Sequence, residues 1–151
     1  MTDPDDRLLV EGDLVAGAAI TLGDGAIDLK GDFTQRYSSS AIQAAAGATK
    51  FVFSGTSAQL ASFQHPGTSF FGDVDVTGTG GVTLNTATIG ADLDLTGVMT
   101  VPTTHTLTIN GDFYFRTGST LTNDGTITLG GTCQVNAGTY GGSGTSPCGG
   151  G

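Results

Sequence analysis

TATIG at 86–90, TLTIN at 106–110 and TITLG at 126–130 are spaced by twenty residues and agree in kind over their first four positions, and that agreement decides the fold. A fixed period of this length is the mark of a repeat architecture. In an extended strand alternate side chains point to opposite faces. Ala87, Leu107 and Ile127 then form one column and Ile89, Ile109 and Leu129 a second on the same face, while Thr86/Thr88, Thr106/Thr108 and Thr126/Thr128 turn the other way. Stacked in register, such strands make an apolar ladder inside and a threonine ladder outside. The pattern predicts an all-β chain, a single-stack parallel β-solenoid in the form of a right-handed β-helix, with about 20 residues per coil.

The same period extends outward. Leu93, Phe113 and Cys133, followed by Leu95, Phe115 and Val135, give a second inward ladder closed by Gly97, Gly118 and Gly138. A fainter third strand is expected from Thr100-Val101 and Thr120-Leu121, again twenty apart, with Gly111 and Gly131 at corresponding corners where positive φ is needed. A Gly-Asp-apolar unit recurs at Asp13, Asp32, Asp73 and Asp112, with Ala91-Asp92-Leu93 as a variant, and the double-length gap after Asp32 is filled by Phe51-Val52-Phe53-Ser54-Gly55. About seven coils follow. Residues 1–7 read as an acidic arm, 8–138 as the solenoid and 139–151 as a Gly-rich cap or linker. Two stretches, 36–49 and 58–71, break the pattern and are expected to be irregular coils rather than separate domains.

Composition limits the partners. The 151 residues carry 26 Gly, no Trp and a net charge of −9 with only five Lys and Arg. Nucleic-acid binding needs clustered Lys or Arg, which this chain lacks, and the same charge disfavours anionic lipid. No apolar run reaches the ~20 residues that span a bilayer, so no membrane insertion is expected. The opening MTDPDD is no leader, whereas the Thr, Asn and Gly richness suits an exported protein. A removed leader or a longer parent protein reconciles the two, and the second is preferred.

Four groups of residues could carry chemistry. Cys133 lies in an inward column and Cys148 sits in the glycine tail, where a returning chain would cross the coil end. A disulfide is expected, against the alternative of a buried thiol beside an unrelated tail cysteine. Asp73, Asp75, Asp92 and Asp94 form two outward columns on rungs ~4.8 Å apart, and a calcium ion could bridge them. Screening by solvent, bonding to corner N–H groups, or neutralisation of Asp73 by Lys50 are the alternatives. Paired carboxylates also serve glycoside hydrolysis, but that chemistry needs one singular protonated carboxyl, whereas these repeat; no catalytic residue is assigned. The ladder Thr86, Thr88, Thr106, Thr108, Thr126, Thr128 is similar to the Thr-x-Thr faces of ice-binding β-solenoids, which implies an ice or glycan surface as ligand. Exposed strands favour threonine in any case.

GDFTQ (31–35), TKFVFSGTSAQ (49–59), SFFGDVDVTGTGGVTL (69–84) and TLTINGDFYFRTGSTLTNDGTITLGGTCQV (106–135) resemble repeat segments of secreted bacterial β-helix surface proteins of the filamentous-haemagglutinin-like adhesin type. The resemblance implies a non-catalytic structural or adhesive module at a bacterial cell surface. It carries over no binding residue and no cofactor. Open coil ends add a further expectation, that copies stack end to end into filaments.

Overall fold

The computed structural model describes residues 1, 3–18, 20–36, 42–44 and 49–149, and its regular elements are all β-strands. The chain winds in coils. β1 (Arg7–Val10), β2 (Leu14–Ala16) and β3 (Ile20–Leu22) make the first; β4 (Ala26–Leu29), β5 (Phe33–Gln35) and β6 (Ile42–Ala44) the second; β7 (Lys50–Phe53) and β8 (Gln59–Phe63) the third. β9 (Asp73–Val76), β10 (Val82–Leu84) and β11 (Ala87–Ile89) follow, then β12 (Leu93–Leu95), β13 (Val98–Val101) and β14 (Thr106–Ile109). β15 (Phe113–Phe115), β16 (Thr120–Asn123) and β17 (Thr126–Leu129) complete six turns, and β18 (Cys133–Val135) with β19 (Thr139–Gly141) begin a seventh.

Every pairing is parallel between successive coils, which makes the chain a β-solenoid. The first face is a seven-stranded sheet, β1-β4-β7-β9-β12-β15-β18, and the second is another, β2-β5-β8-β10-β13-β16-β19. The third is split into β3-β6 and β11-β14-β17, with Phe71 joined to Ile89 by a single bridge between them. Alternation sets the inside. On the first face Ile27, Phe51, Val74, Leu93 and Phe113 stack as one buried column and Leu29, Phe53, Val76, Leu95 and Phe115 as another. Each such side chain contributes roughly 1.5–3 kcal/mol by leaving water, and it does so against the rungs directly above and below.

The register corrects several expectations. On the first face Arg7 stands on Ala26, Val74 on Leu93, Leu93 on Phe113 and Phe113 on Cys133, all at or within one position of the twenty-residue period. The coils from Ala26 to Lys50 and from Lys50 to Asp73 are longer than the others, and they change the phase. Asp13 and Asp32 precede strands of the second face, whereas Asp73 opens a strand of the first face and Asp92 and Asp112 precede the next two, so the Gly-Asp units are two columns on different corners. Thr100 stands on Thr122, not Thr120, because the β15–β16 corner gains two residues that the β16–β17 corner gives back. The coil length hides that exchange. Phe51 does share the column of Val74.

Most corner glycines serve space rather than φ. Gly97 has an ordinary φ, but a Cβ there would run into the Gly78 carbonyl of the coil below. Gly118, at φ 83°, is one that does need the left-handed region. Residues 36–49 lie largely outside the described residues, although Ile42–Ala44 within them is strand β6. Residues 58–71 hold β8, the His65–Thr68 turn and the buried Phe71. Arg7, assigned to the arm, is in β1, and Asp3 and Asp6 lie against the Gly25 corner. Among the described residues no helix is long and apolar enough to cross a membrane.

Candidate functional site

The aspartates of the first-face corner are ties between coils. Asp73 Oδ1 accepts the Asp92 N–H at 3.0 Å, Asp92 Oδ1 accepts the Asp112 N–H at 2.7 Å, and Asp112 Oδ1 accepts the Thr132 N–H at 2.7 Å. Asp13, Asp32 and Asp124 do the same for Asp32, Leu60 and Ser143 on other corners. A strand leaves its corner N–H without a ladder partner, and a carboxylate one coil down satisfies it. Bonds from the Thr132 N–H and hydroxyl, joined by the Tyr114 hydroxyl, hold the Asp112 carboxyl below its ordinary range.

The middle column of the first face carries the ion pairs. Leu9, Asp28, Val52, Asp75, Asp94, Tyr114 and Gln134 stand on one another. Lys50 Nζ lies 3.0 Å from Asp75 Oδ2, so Lys50 neutralises Asp75 and not Asp73 as the sequence suggested. Arg116 grips Asp94 through Nε at 3.0 Å and Nη2 at 2.6 Å while its guanidinium covers the Tyr114 ring at 4.7 Å. Asp73, Asp75, Asp92 and Asp94, the calcium candidates, do line one shallow depression with Lys50 and Tyr114. Two of the four are already paired with cations of the chain, Asp75 with Lys50 and Asp94 with Arg116. Among the described residues no group of three or more His, Cys, Asp or Glu side chains is placed to hold a metal ion.

Asp28 is the buried member of that column, only 4% exposed. Burial pushes its carboxyl up, but hydrogen bonds from Ser54 and Arg7 and the charges of Lys30 and Arg7 outweigh that and hold it below the ordinary value. A carboxyl lowered on folding adds stability above its unfolded range and loses it as pH falls through the folded value. Asp28→Asn is therefore expected to be less stable than wild type at pH ~7 and to lose less on acidification to pH ~3. Denaturant midpoints across pH check this, and parallel pH curves would show that Asp28 is not the linked group.

The threonine ladder forms with one member withdrawn. Thr88, Thr108 and Thr128 stand in register, as do Thr106 and Thr126. Thr86 precedes the strand, and its N–H donates to His105 Nδ1 at 3.1 Å with its hydroxyl equally close to that nitrogen. The Phe71–Ile89 bridge puts Phe70 beneath Thr88, so the ladder does not continue into the coil below. A second column had no signal at period twenty: Thr83, Thr100 and Thr122 stack on the second face at unequal steps, one shorter and one longer than the period. The strands of these two faces in coils four to six, VTL, ATI, VMTV, TLTI, TLTN and TITL, contain no Asp, Glu, Lys or Arg.

The C-terminal end is partly covered, although among the described residues β17, β18 and β19 are each paired on one side only and Val135 is half exposed. Cys133 and Cys148 form a disulfide with Cα atoms 5.1 Å apart. The tail follows the coil as β19 and then turns in: Gly144 N–H donates to the Asn123 carbonyl at 2.7 Å, and the Tyr140 hydroxyl to the Gly144 carbonyl at 2.6 Å. The buried Asn123 amide donates to the Thr145 carbonyl at 3.0 Å. The segment given to a cap or linker is thus half coil and half lid. Comparison with protein-family models, curated proteins and solved structures finds no match, so what these faces do is argued from their geometry.

Proposed function

We propose that the chain is a non-catalytic, extracellular structural or adhesive module, and that the threonine faces of coils four to six are its contact surface. One observation carries this: charge is confined to the first face and the corners, while two adjoining faces present only short, β-branched or small uncharged side chains on a stiff lattice. Rungs ~4.8 Å apart hold hydroxyls and methyls in fixed register without rotamer freedom to lose on contact. Such an array suits an ordered surface, a packed glycan or ice. The carboxylates that hydrolysis would need are engaged by backbone N–H groups, Lys50 and Arg116. The disulfide fits an oxidising compartment.

Adsorption to particles of several insoluble polysaccharides, together with thermal hysteresis, tests the proposal. Thr108→Tyr and Thr100→Tyr break the two faces separately without reaching the core. Binding by wild type that drops about tenfold, ~1.4 kcal/mol, in either variant supports it. Release of reducing or unsaturated sugar ends would instead show an enzyme. With a disulfide-tied tail over part of one end, stacking of copies there would be hindered, so discrete particles rather than filaments are expected by electron microscopy.

A further inference from the structure

The opposite end of the solenoid is built differently. Among the described residues β1 and β2 have strand partners on one side only, β4 and β5. The Asp6 and Val10 carbonyls accept from Ala26 and Lys30, and the Leu14 N–H and Ala16 carbonyl are bonded to Asp32 and Arg36. Peptide groups of alternate residues in a strand face the same side. Leu9 and Val15 therefore turn their N–H and C=O to the open edge. Their side chains are 51% and 50% exposed, and Leu8, at the head of an inward column, is 47% exposed beside a cavity lined by Met1, Asp6 and Arg7. Around this edge Asp3, Asp5, Asp6, Glu11 and Asp13 outnumber the cations, Arg7, which is paired with Asp28, and Lys30, which lines one depression with Glu11.

We infer that this edge is a docking site for a basic extended segment of another protein, which adds as a further strand along β1. Main-chain bonds to Leu9 would supply affinity, alternate apolar side chains would cover Leu8, and Lys or Arg side chains would answer the acidic rim. A second copy fits poorly. Head to head it sets five carboxylates against five, and head to tail it meets the disulfide-held lid. The inference stands on the strand edge alone and is independent of the threonine faces.

The test uses fluorescein-labelled peptides of about six residues, one alternating Val and Lys and the other Val and Glu, titrated with the whole chain. The basic peptide is expected to bind and the acidic one not, with about tenfold weakening between ~50 and ~500 mM NaCl. Leu9→Pro removes the edge donor while leaving the bonds to β4, since proline is tolerated on an edge strand, and should abolish binding. Asp5→Lys with Glu11→Lys, which touches no backbone bond of the ladder, should weaken it about tenfold and keeps the test alive if the proline variant does not fold. No binding of the basic peptide, equal binding of both peptides, or binding unchanged in every folded variant overturns the inference. So does a wild-type dimer in sedimentation that Leu9→Pro dissociates, because the occupant is then a second copy.

Discussion

Phe71→Ala is expected to lower stability by about 3–5 kcal/mol, the largest loss for any single side chain in the molecule. Phe71 is fully buried, with ring centroids 4.7 Å from Phe51, 4.9 Å from Phe63, 5.0 Å from Phe33 and 5.7 Å from Phe53. Its backbone also holds the third face together there, donating to Thr88 and accepting from Gly90. Removing the ring leaves a void among four others that a stacked backbone cannot close. Phe113→Ala should cost less, because among the described residues that ring meets only Phe115 as an aromatic neighbour, at 5.8 Å. Urea melts give the magnitudes, and hydrogen exchange gives the location. In a solenoid each coil is stabilised by its neighbours, so protection should fall in β5, β7, β8 and β9 and persist in β14 to β17. A loss under about 1 kcal/mol, or one spread evenly over all strands, would refute the account.

The aromatic cluster also marks where the sequence stopped being informative. Coils four to seven were legible because Val74, Leu93, Phe113 and Cys133 step by nearly one interval, so their apolar columns repeat in phase. Phe33 and Phe53, and Phe51 and Phe71, are each twenty apart and yet stand on different faces, since the two coils between Ala26 and Asp73 are longer than twenty residues and break the phase. The aspartates were visible as a column, and bonding to corner N–H groups was one reading of them, but which N–H each one meets was not visible. Spacing gives the rung on which Asp92 stands, and only the coil geometry reveals that its carboxylate meets the Asp112 N–H. The second threonine column was missed for a related reason: corner lengths traded between faces keep the coil near twenty while shifting one strand by two. The absence of charge from the strands of both threonine faces, by contrast, could have been read directly.

Reduction of the protein, or Cys148→Ser, is expected to free the C-terminal lid and remove about 3 kcal/mol from the last coil, the chain-entropy value for a loop of this length. The loss should be local. The tail's other ties beyond β19, Gly144 to Asn123, Tyr140 to Gly144, Asn123 to Thr145 and the Ser143 N–H and hydroxyl to Asp124, are hydrogen bonds worth about 1 kcal/mol each, set against the large entropy cost of ordering a glycine-rich segment. Exchange should therefore accelerate in β18, β19 and residues 142–149, while β12 to β14 keep their protection. Once the lid lifts, Phe113, Phe115 and Leu121 lose the layer above them, and the edges of β15 and β16 follow within one coil. That end has no charged residue between Gly130 and Gly149 to discourage pairing with another strand, unlike the acidic rim at β1. Reduced protein should accordingly self-associate at concentrations where oxidised protein does not, measured by light scattering with and without reductant. If reduction speeds exchange at the tail yet leaves scattering unchanged, the disulfide orders the tail but the lid does not guard the edge, and some other feature keeps the uncharged end from pairing.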